Sequence, residues 1–181
     1  HRLENSTRKT VLVLNDAADW LCKELAQLRP EYEYRAAVDH GAAMAMAGGS
    51  EILMALAPRI SSELVAAMPR LEWIHALTTG YDNLLAMTTL APQVAISNSR
   101  GFHGPQMAEL TILSMLALAR DFPRVQRNQA TAEWQRWPQP LLVEKTACIV
   151  GLGVIAEALA ARLQPFGMRI IGVSDGRAEV A

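Results

Sequence analysis

Short apolar runs alternate along this chain with stretches whose apolar positions recur at helical spacing. Residues 10–15 (TVLVLN) are apolar and β-branched without alternation, the pattern of a strand buried on both faces. Asp16 supplies a polar start for a helix to Leu28, with Pro30 beyond its end. Residues 32–37 predict a second, weaker strand, and residues 42–47 a helix closed by Gly48 and Gly49. Residues 51–56 (EILMAL) predict a third strand. Ser61, with Glu63 behind it, opens a helix to Met68 ahead of Pro69. Residues 71–77 (LEWIHAL) predict a fourth strand, Thr79-Gly80 a turn, residues 82–87 a short helix, and residues 94–98 (VAISN) a fifth strand. Strands and helices alternating with short joins imply parallel pairing and right-handed crossovers. Residues 10–98 therefore predict a doubly wound, flavodoxin-like α/β domain.

The pattern then changes. Pro105 suits the first turn of a helix, and that helix, PQMAELTILSMLALAR, is apolar on nearly every face from Leu110 to Ala119. A helix apolar all round is buried all round, which predicts a position between two domains or two subunits. Residues 122–137 read as an amphipathic helix carrying Arg124, Arg127, Trp134, Arg136 and Trp137, with both tryptophans packed under a proline loop at 138–140. The strand–helix pattern restarts with residues 146–150 (TACIV), a helix over 155–166 ended by Gly167, and a strand over 168–174 (MRIIGVS).

The turn between that strand and helix is GLGVIA, residues 151–156, which fits the dinucleotide fingerprint G-x-G-x-x-G/A. Each small residue has its own reason. Gly151 permits the tight turn, Gly153 lets a pyrophosphate approach the backbone, and Ala156 keeps the helix close to the strand. N–H groups at the helix start then face phosphate oxygens, and the helix dipole favours their charge. The second strand ends in Ser174-Asp175-Gly176-Arg177, where the fingerprint reads the adenosine ribose. Ser174 stands at the usual acidic position, and Asp175 follows it. Ser174 with Arg177 suits a 2′-phosphate, whereas Asp175 suits a free 2′-hydroxyl, so the cofactor is NAD or NADP. The uncharged strand tip leans slightly to NADP; Asp175 and Arg177 are equally readable as solvated turn residues.

Composition narrows the remaining classes. Hydrophobic residues make up 51% and charged residues 19%, which excludes disorder along the whole chain. With 17 basic and 18 acidic side chains the net charge is -1, leaving no basic field for nucleic acid or an anionic membrane. No apolar run approaches the roughly 18 residues of a membrane span, and the polar start HRLENSTRK is no signal peptide. Cys22 and Cys148 form no disulfide framework, so a reducing cytoplasm is the expected location. No His or Cys spacing suits a metal, and no G-x-S-x-G elbow is present.

Three stretches together resemble the D-isomer specific 2-hydroxyacid dehydrogenases: LEWIHALTTGYDNL (71–84), VAISNSRGFHGPQMAELTILSMLALAR (94–120) and TACIVGLGVIAEALAARLQPFGMRIIGVS (146–174). The resemblance implies that residues 1–98 are the N-terminal part of a substrate-binding domain. Residues 99–181 would hold an interdomain helix and the first βαβ unit of a Rossmann NAD(P)-binding domain. It implies hydride transfer between NAD(P)H and a small 2-oxo or D-2-hydroxy acid, and a homodimer built on the helix from Pro105 to Arg120. It further implies that backbone N–H groups around Thr79 and Gly80 bind the substrate carboxylate. Thr79 and Met107 would lie beside the nicotinamide half of the cofactor, and Val154 and Ile155 would follow the pyrophosphate. Glu157 departs from the family pattern and is expected to point outward.

Family members use an Arg and an acid–His pair that follow the second strand of the cofactor domain, so the catalytic residues are unassigned here. Of the histidines in the chain, His75 alternates with Trp73 and reads as a satisfied near-core residue. His103 reads as a loop residue, and His1 and His40 have no orienting partner nearby in sequence. The expectation is part of a longer enzyme that, as 181 residues alone, turns over no substrate and binds dinucleotide weakly. The alternative is a non-catalytic dinucleotide-binding regulatory or scaffold protein on the same fold.

Overall fold

Strand β1, Thr10–Leu14, is buried at all five positions. Such a strand needs neighbours on both edges and helices on both faces, and the chain supplies them in order. They are α1 (Ala18–Leu28), β2 (Glu33–Ala37), α2 (His40–Ala47), β3 (Ile52–Ala55), a 3-10 turn at Ala57–Arg59, α3 (Ser62–Ala66), β4 (Trp73–Ala76), α4 (Asp82–Leu85) and β5 (Ala95–Asn98). All pairings are parallel, in the order β2-β1-β3-β4-β5, which is the flavodoxin-like order.

The computed structural model describes residues 8–176 and divides between Arg100 and Gly101 into two compact units. In the first unit, alternation splits β1 between two cores. Leu12 and Leu14 join Leu53, Ile74, Leu64 and Leu84 on one face. Val11 and Val13 join Ile52 and Ala18 on the other, with Leu21, Cys22 and Leu25 of α1 packed against them. At the amino ends of the strands, the buried Glu51 carboxylate accepts the Thr10 N–H at 2.8 Å and pairs with Arg70.

The second unit contains α5 (Gly104–Ala119), α6 (Phe122–Ala130), β6 (Thr146–Val150), α7 (Val154–Leu163) and β7 (Arg169–Val173), with β6 and β7 parallel. Its core is the seam of α5 on α7: Ala108, Leu159 and Leu163 are buried, with Ile112, Met115, Ala147, Ile149 and Ile170 around them. A Cβ at Gly104 would meet Ala158 Cβ at 3.2 Å and Val154 O at 3.4 Å, so this glycine sets how closely the helices approach.

Several expected boundaries move. Helix α1 starts at Ala18 rather than at Asp16; Asn15 Oδ1 accepts from Ala17 N at 2.9 Å, and Asp16 instead pairs with Arg59 across the β1 and β3 loops at 2.6 Å. Ser61 does cap its helix, accepting from Leu64 N at 3.1 Å. Helix α6 stops at Ala130, not Trp137. Ala132 takes a left-handed φ of 54°, Glu133 N donates to Asn128 O at 2.8 Å, and Ala132 N donates to Gln129 O at 3.2 Å, which is a Schellman end. Trp134 is therefore not packed under the proline loop but is 88% exposed. Trp137 is half-buried, with the Arg124 guanidinium 4.3 Å from its ring centre. Among the described residues of the second unit, α7 covers one face of α5; Leu113 and Leu118 are 63% and 83% exposed.

Candidate functional site

The turn after β6 is built from its glycines. Gly151 has φ +88°, a region that L side chains rarely adopt, and its N–H donates to Val173 O at 2.8 Å, tying the turn to β7. Gly153 is different. As the N-cap of α7 it has φ -91° and ψ -174°, an extended conformation open to any residue. Among the described residues, a Cβ there would meet nothing within 4 Å. Glycine at 153 therefore keeps space open rather than satisfying the backbone. The N-cap offers no side chain to the first turn of α7, whose N–H groups begin at the exposed Val154. Ala156 is buried, Ile155 is half-buried and Glu157 is exposed.

Leu152, the first variable residue of the motif, lies on β7: a Cβ at Gly172 would come within 2.5 Å of its Cδ2. Gly172 thus makes room for the turn, a role that the spacing of the fingerprint does not reveal. The register pairs Val150 with Val173, so Gly151 and Ser174 leave the same carboxyl edge of the sheet. Ser174 and Asp175 are exposed, and Ser174 Oγ accepts weakly from Gly176 N at 3.5 Å. Arg177 lies outside the described residues. Met107 is in the first turns of α5, 39% exposed, with its carbonyl accepting from Thr111 Oγ1 at 2.8 Å.

Thr79 and Gly80 lie in the first unit, in the bend that follows β4 at the carboxyl edge of its sheet. Gly80 is exposed, its φ is outside the left-handed region, and a Cβ there would meet nothing within 4 Å. The Thr79 carbonyl accepts from Asn98 Nδ2 at 2.7 Å, and the Gly80 carbonyl accepts from Thr78 Oγ1 at 2.7 Å. Thr78 and Asn98 carry no motif of their own, and sequence reading passed over both.

The histidines have local partners. Trp73 Nε1 donates to Ser97 Oγ at 2.8 Å, and Ser97 Oγ is 2.8 Å from His75 Nδ1. On the other side His75 Nε2 is 3.3 Å from Ser99 Oγ, which donates to the Ala76 carbonyl. One assignment satisfies the whole chain: Ser97 donates to Nδ1, and Nε2–H donates to Ser99. Burial holds the His75 imidazole below its ordinary pKa, in keeping with that neutral state. His103 Nδ1 accepts from Gln106 Nε2 at 2.8 Å, and His40 is 3.5 Å from Glu63. Among the described residues no group of His, Cys, Asp or Glu could hold a metal ion, and no helix is long and apolar enough to cross a membrane.

Comparison with known proteins bears on the same segments. Residues 112–181 match the family model described as the D-isomer specific 2-hydroxyacid dehydrogenase, NAD binding domain. A glyoxylate reductase of Thermococcus litoralis is 32% identical over 129 residues, covering 66% of this chain and 39% of that protein. A D-3-phosphoglycerate dehydrogenase of Rattus norvegicus is 28% identical over 123 residues, covering 67% of this chain and 23% of the relative. The chain thus spans well under half the length of these two relatives. A crystal structure of a D-isomer specific 2-hydroxyacid dehydrogenase family protein from Aeromonas salmonicida superimposes with a TM-score of 0.82 at 29% identity, covering 96% of this chain and 56% of that one. The parallel α/β architecture, the open glycine turn after β6 and these matches agree: the chain is similar to the D-isomer specific 2-hydroxyacid dehydrogenases, and residues 112–181 match their NAD binding domain.

Proposed function

We propose that the protein bearing this chain interconverts a small 2-oxo acid and a D-2-hydroxy acid by hydride transfer with a nicotinamide dinucleotide. The observation that carries this reading is the turn Gly151–Gly153, open on its outer side and leading straight into the uncapped start of α7. A pyrophosphate fits such a place because it needs donors, a favourable dipole and no intervening side chain. Gly151, Gly153, Val154 and Ile155 would hold it, and Ser174 and Asp175 would meet the ribose at the tip of β7. A bound nicotinamide dinucleotide supplies the hydride, and the protein orients it.

NAD is placed ahead of NADP. Asp175 can accept from a ribose hydroxyl, and the matched family model is an NAD binding domain. The slight lean to NADP rests on the uncharged Ser174 at the strand tip, and the comparisons do not support it. The first unit would contribute the carboxylate site, through N–H groups around Thr79 and Gly80, with Thr79 also reading as a nicotinamide neighbour. The second would contribute Met107 to the nicotinamide end. The exposed Leu110, Leu113 and Leu118 of α5 support a homodimer contact along that helix.

Steady-state assays of the full-length protein test the reading. NADH oxidation that depends on added glyoxylate or hydroxypyruvate, with NADPH a poorer donor, is the expected result. NADH oxidation with none of a panel of small 2-oxo acids would remove the dehydrogenase reading.

A further inference from the structure

The bend after β4 lies past the last paired residue, Ala76, and its Thr79 and Gly80 carbonyls take their order from side chains. Asn98 Nδ2 holds the Thr79 carbonyl at 2.7 Å, and Asn98 Oδ1 accepts from Arg100 N at 3.4 Å, which fixes the sense of the amide. Thr78 Oγ1 holds the Gly80 carbonyl at 2.7 Å and itself accepts from Ala57 N at 3.4 Å. Asn83 Nδ2 donates to the Ala57 carbonyl at 2.8 Å, so α4 steadies the loop that steadies Thr78. Ser99 N donates to Thr78 O at 3.1 Å, closing the bend against the end of β5.

We propose that Thr78 and Asn98 are positioning residues for substrate binding: they turn two backbone carbonyls inward so that the N–H groups of Gly80 and Tyr81 present an anion-binding face. The inference rests on the carboxylate reading of this bend. The described peptide bonds are all trans, and in a trans peptide the C=O and N–H point in opposite directions. With the Thr79 carbonyl held by Asn98, the Gly80 N–H points away from Asn98. With the Gly80 carbonyl held by Thr78, the Tyr81 N–H points away from that hydroxyl. A free carbonyl beside a bound carboxylate would repel it, and this bracing withdraws two of them. Space beside Gly80 is open, and its backbone does not require glycine, so its small size is available to a ligand.

The test uses full-length protein with saturating NADH and oxamate, a 2-oxo acid mimic. Oxamate and NADH dissociation constants are measured for the wild type, Thr78→Val, Thr78→Ser and Asn98→Asp. Each disruptive change removes one donor of a hydrogen bond, so the oxamate constant is expected to rise about tenfold in Thr78→Val and Asn98→Asp. The NADH constant should stay within about twofold, and Thr78→Ser should restore oxamate binding to within about twofold of wild type. An unchanged oxamate constant in both disruptive variants, an equal loss of NADH binding, or no rescue by serine overturns the proposal. If Thr78→Val and Asn98→Asp fail to fold, amide resonances in the wild type and Thr78→Ser decide: oxamate should shift Gly80 and Tyr81, and shifts confined to other residues overturn it. A wild type that binds NADH but not oxamate sinks the carboxylate reading itself. A wild type that binds both, with variants that bind equally well, sinks only the bracing.

Discussion

Gly151 and Gly153 stand two positions apart in one motif and meet different physical demands. At Gly151 the left-handed φ of +88° makes any side chain costly, whereas Gly153 has ordinary extended backbone and empty space. Gly151→Ala should therefore lower stability by about 1–2 kcal/mol, while Gly153→Ala should change it by less than about 0.5 kcal/mol. Urea denaturation of both variants measures the contrast, and equal losses would contradict it. His75 gives a prediction of another kind. Its folded-state pKa lies below the ordinary 6.5 because burial disfavours the imidazolium. Between the two values the unfolded chain binds more protons, so stability rises with pH through that window and levels off above 6.5. His75→Gln should flatten that part of the urea-midpoint profile; a profile unchanged by the substitution would contradict the sign and the source.

At the scale of elements, the strands were legible because their burial is written as uninterrupted apolar runs, β1 above all. Helix ends were legible where a side chain marks them, as at Ser61, and illegible where the backbone alone does. The stretch NQATAEWQRW contains neither Gly nor Pro, so nothing in it announces that Ala132 adopts a left-handed φ and ends α6. The uniform apolarity of α5 predicts burial all round, whereas α7 covers one face and Leu113 and Leu118 on the helix are exposed. The close face depends on Gly104. Gly104→Val would push against Ala158 and the Val154 carbonyl and should cost about 1–3 kcal/mol in the second unit, measured by denaturation followed through an amide-exchange probe on α7. The outer face bears on the proposed homodimer. Leu113→Glu should shift the full-length protein toward monomer in light scattering, and an unaltered mass at low micromolar concentration would remove α5 from the interface.

Across the whole molecule, the glycine turn after β6 and the bend after β4 were legible in the sequence because each rests on small residues at fixed places after a strand. Thr78, Asn98 and Gly172 were not, because their roles arise from neighbours far along the chain: Asn98 meets Thr79 across the β4–β5 edge, and Gly172 meets Leu152 across the β6–β7 pair. Catalytic proton transfer stays unassigned, since the histidines described here are engaged with local serine, glutamine or glutamate partners. The central claim is that the open space at Gly153 receives a pyrophosphate, and calorimetric titration of NADH into full-length wild type and Gly153→Val tests it most directly. The account predicts micromolar binding by the wild type and at least about tenfold weaker binding by the variant at unchanged thermal stability, a loss of about 1.4 kcal/mol or more. Equal affinity in the two proteins would contradict it.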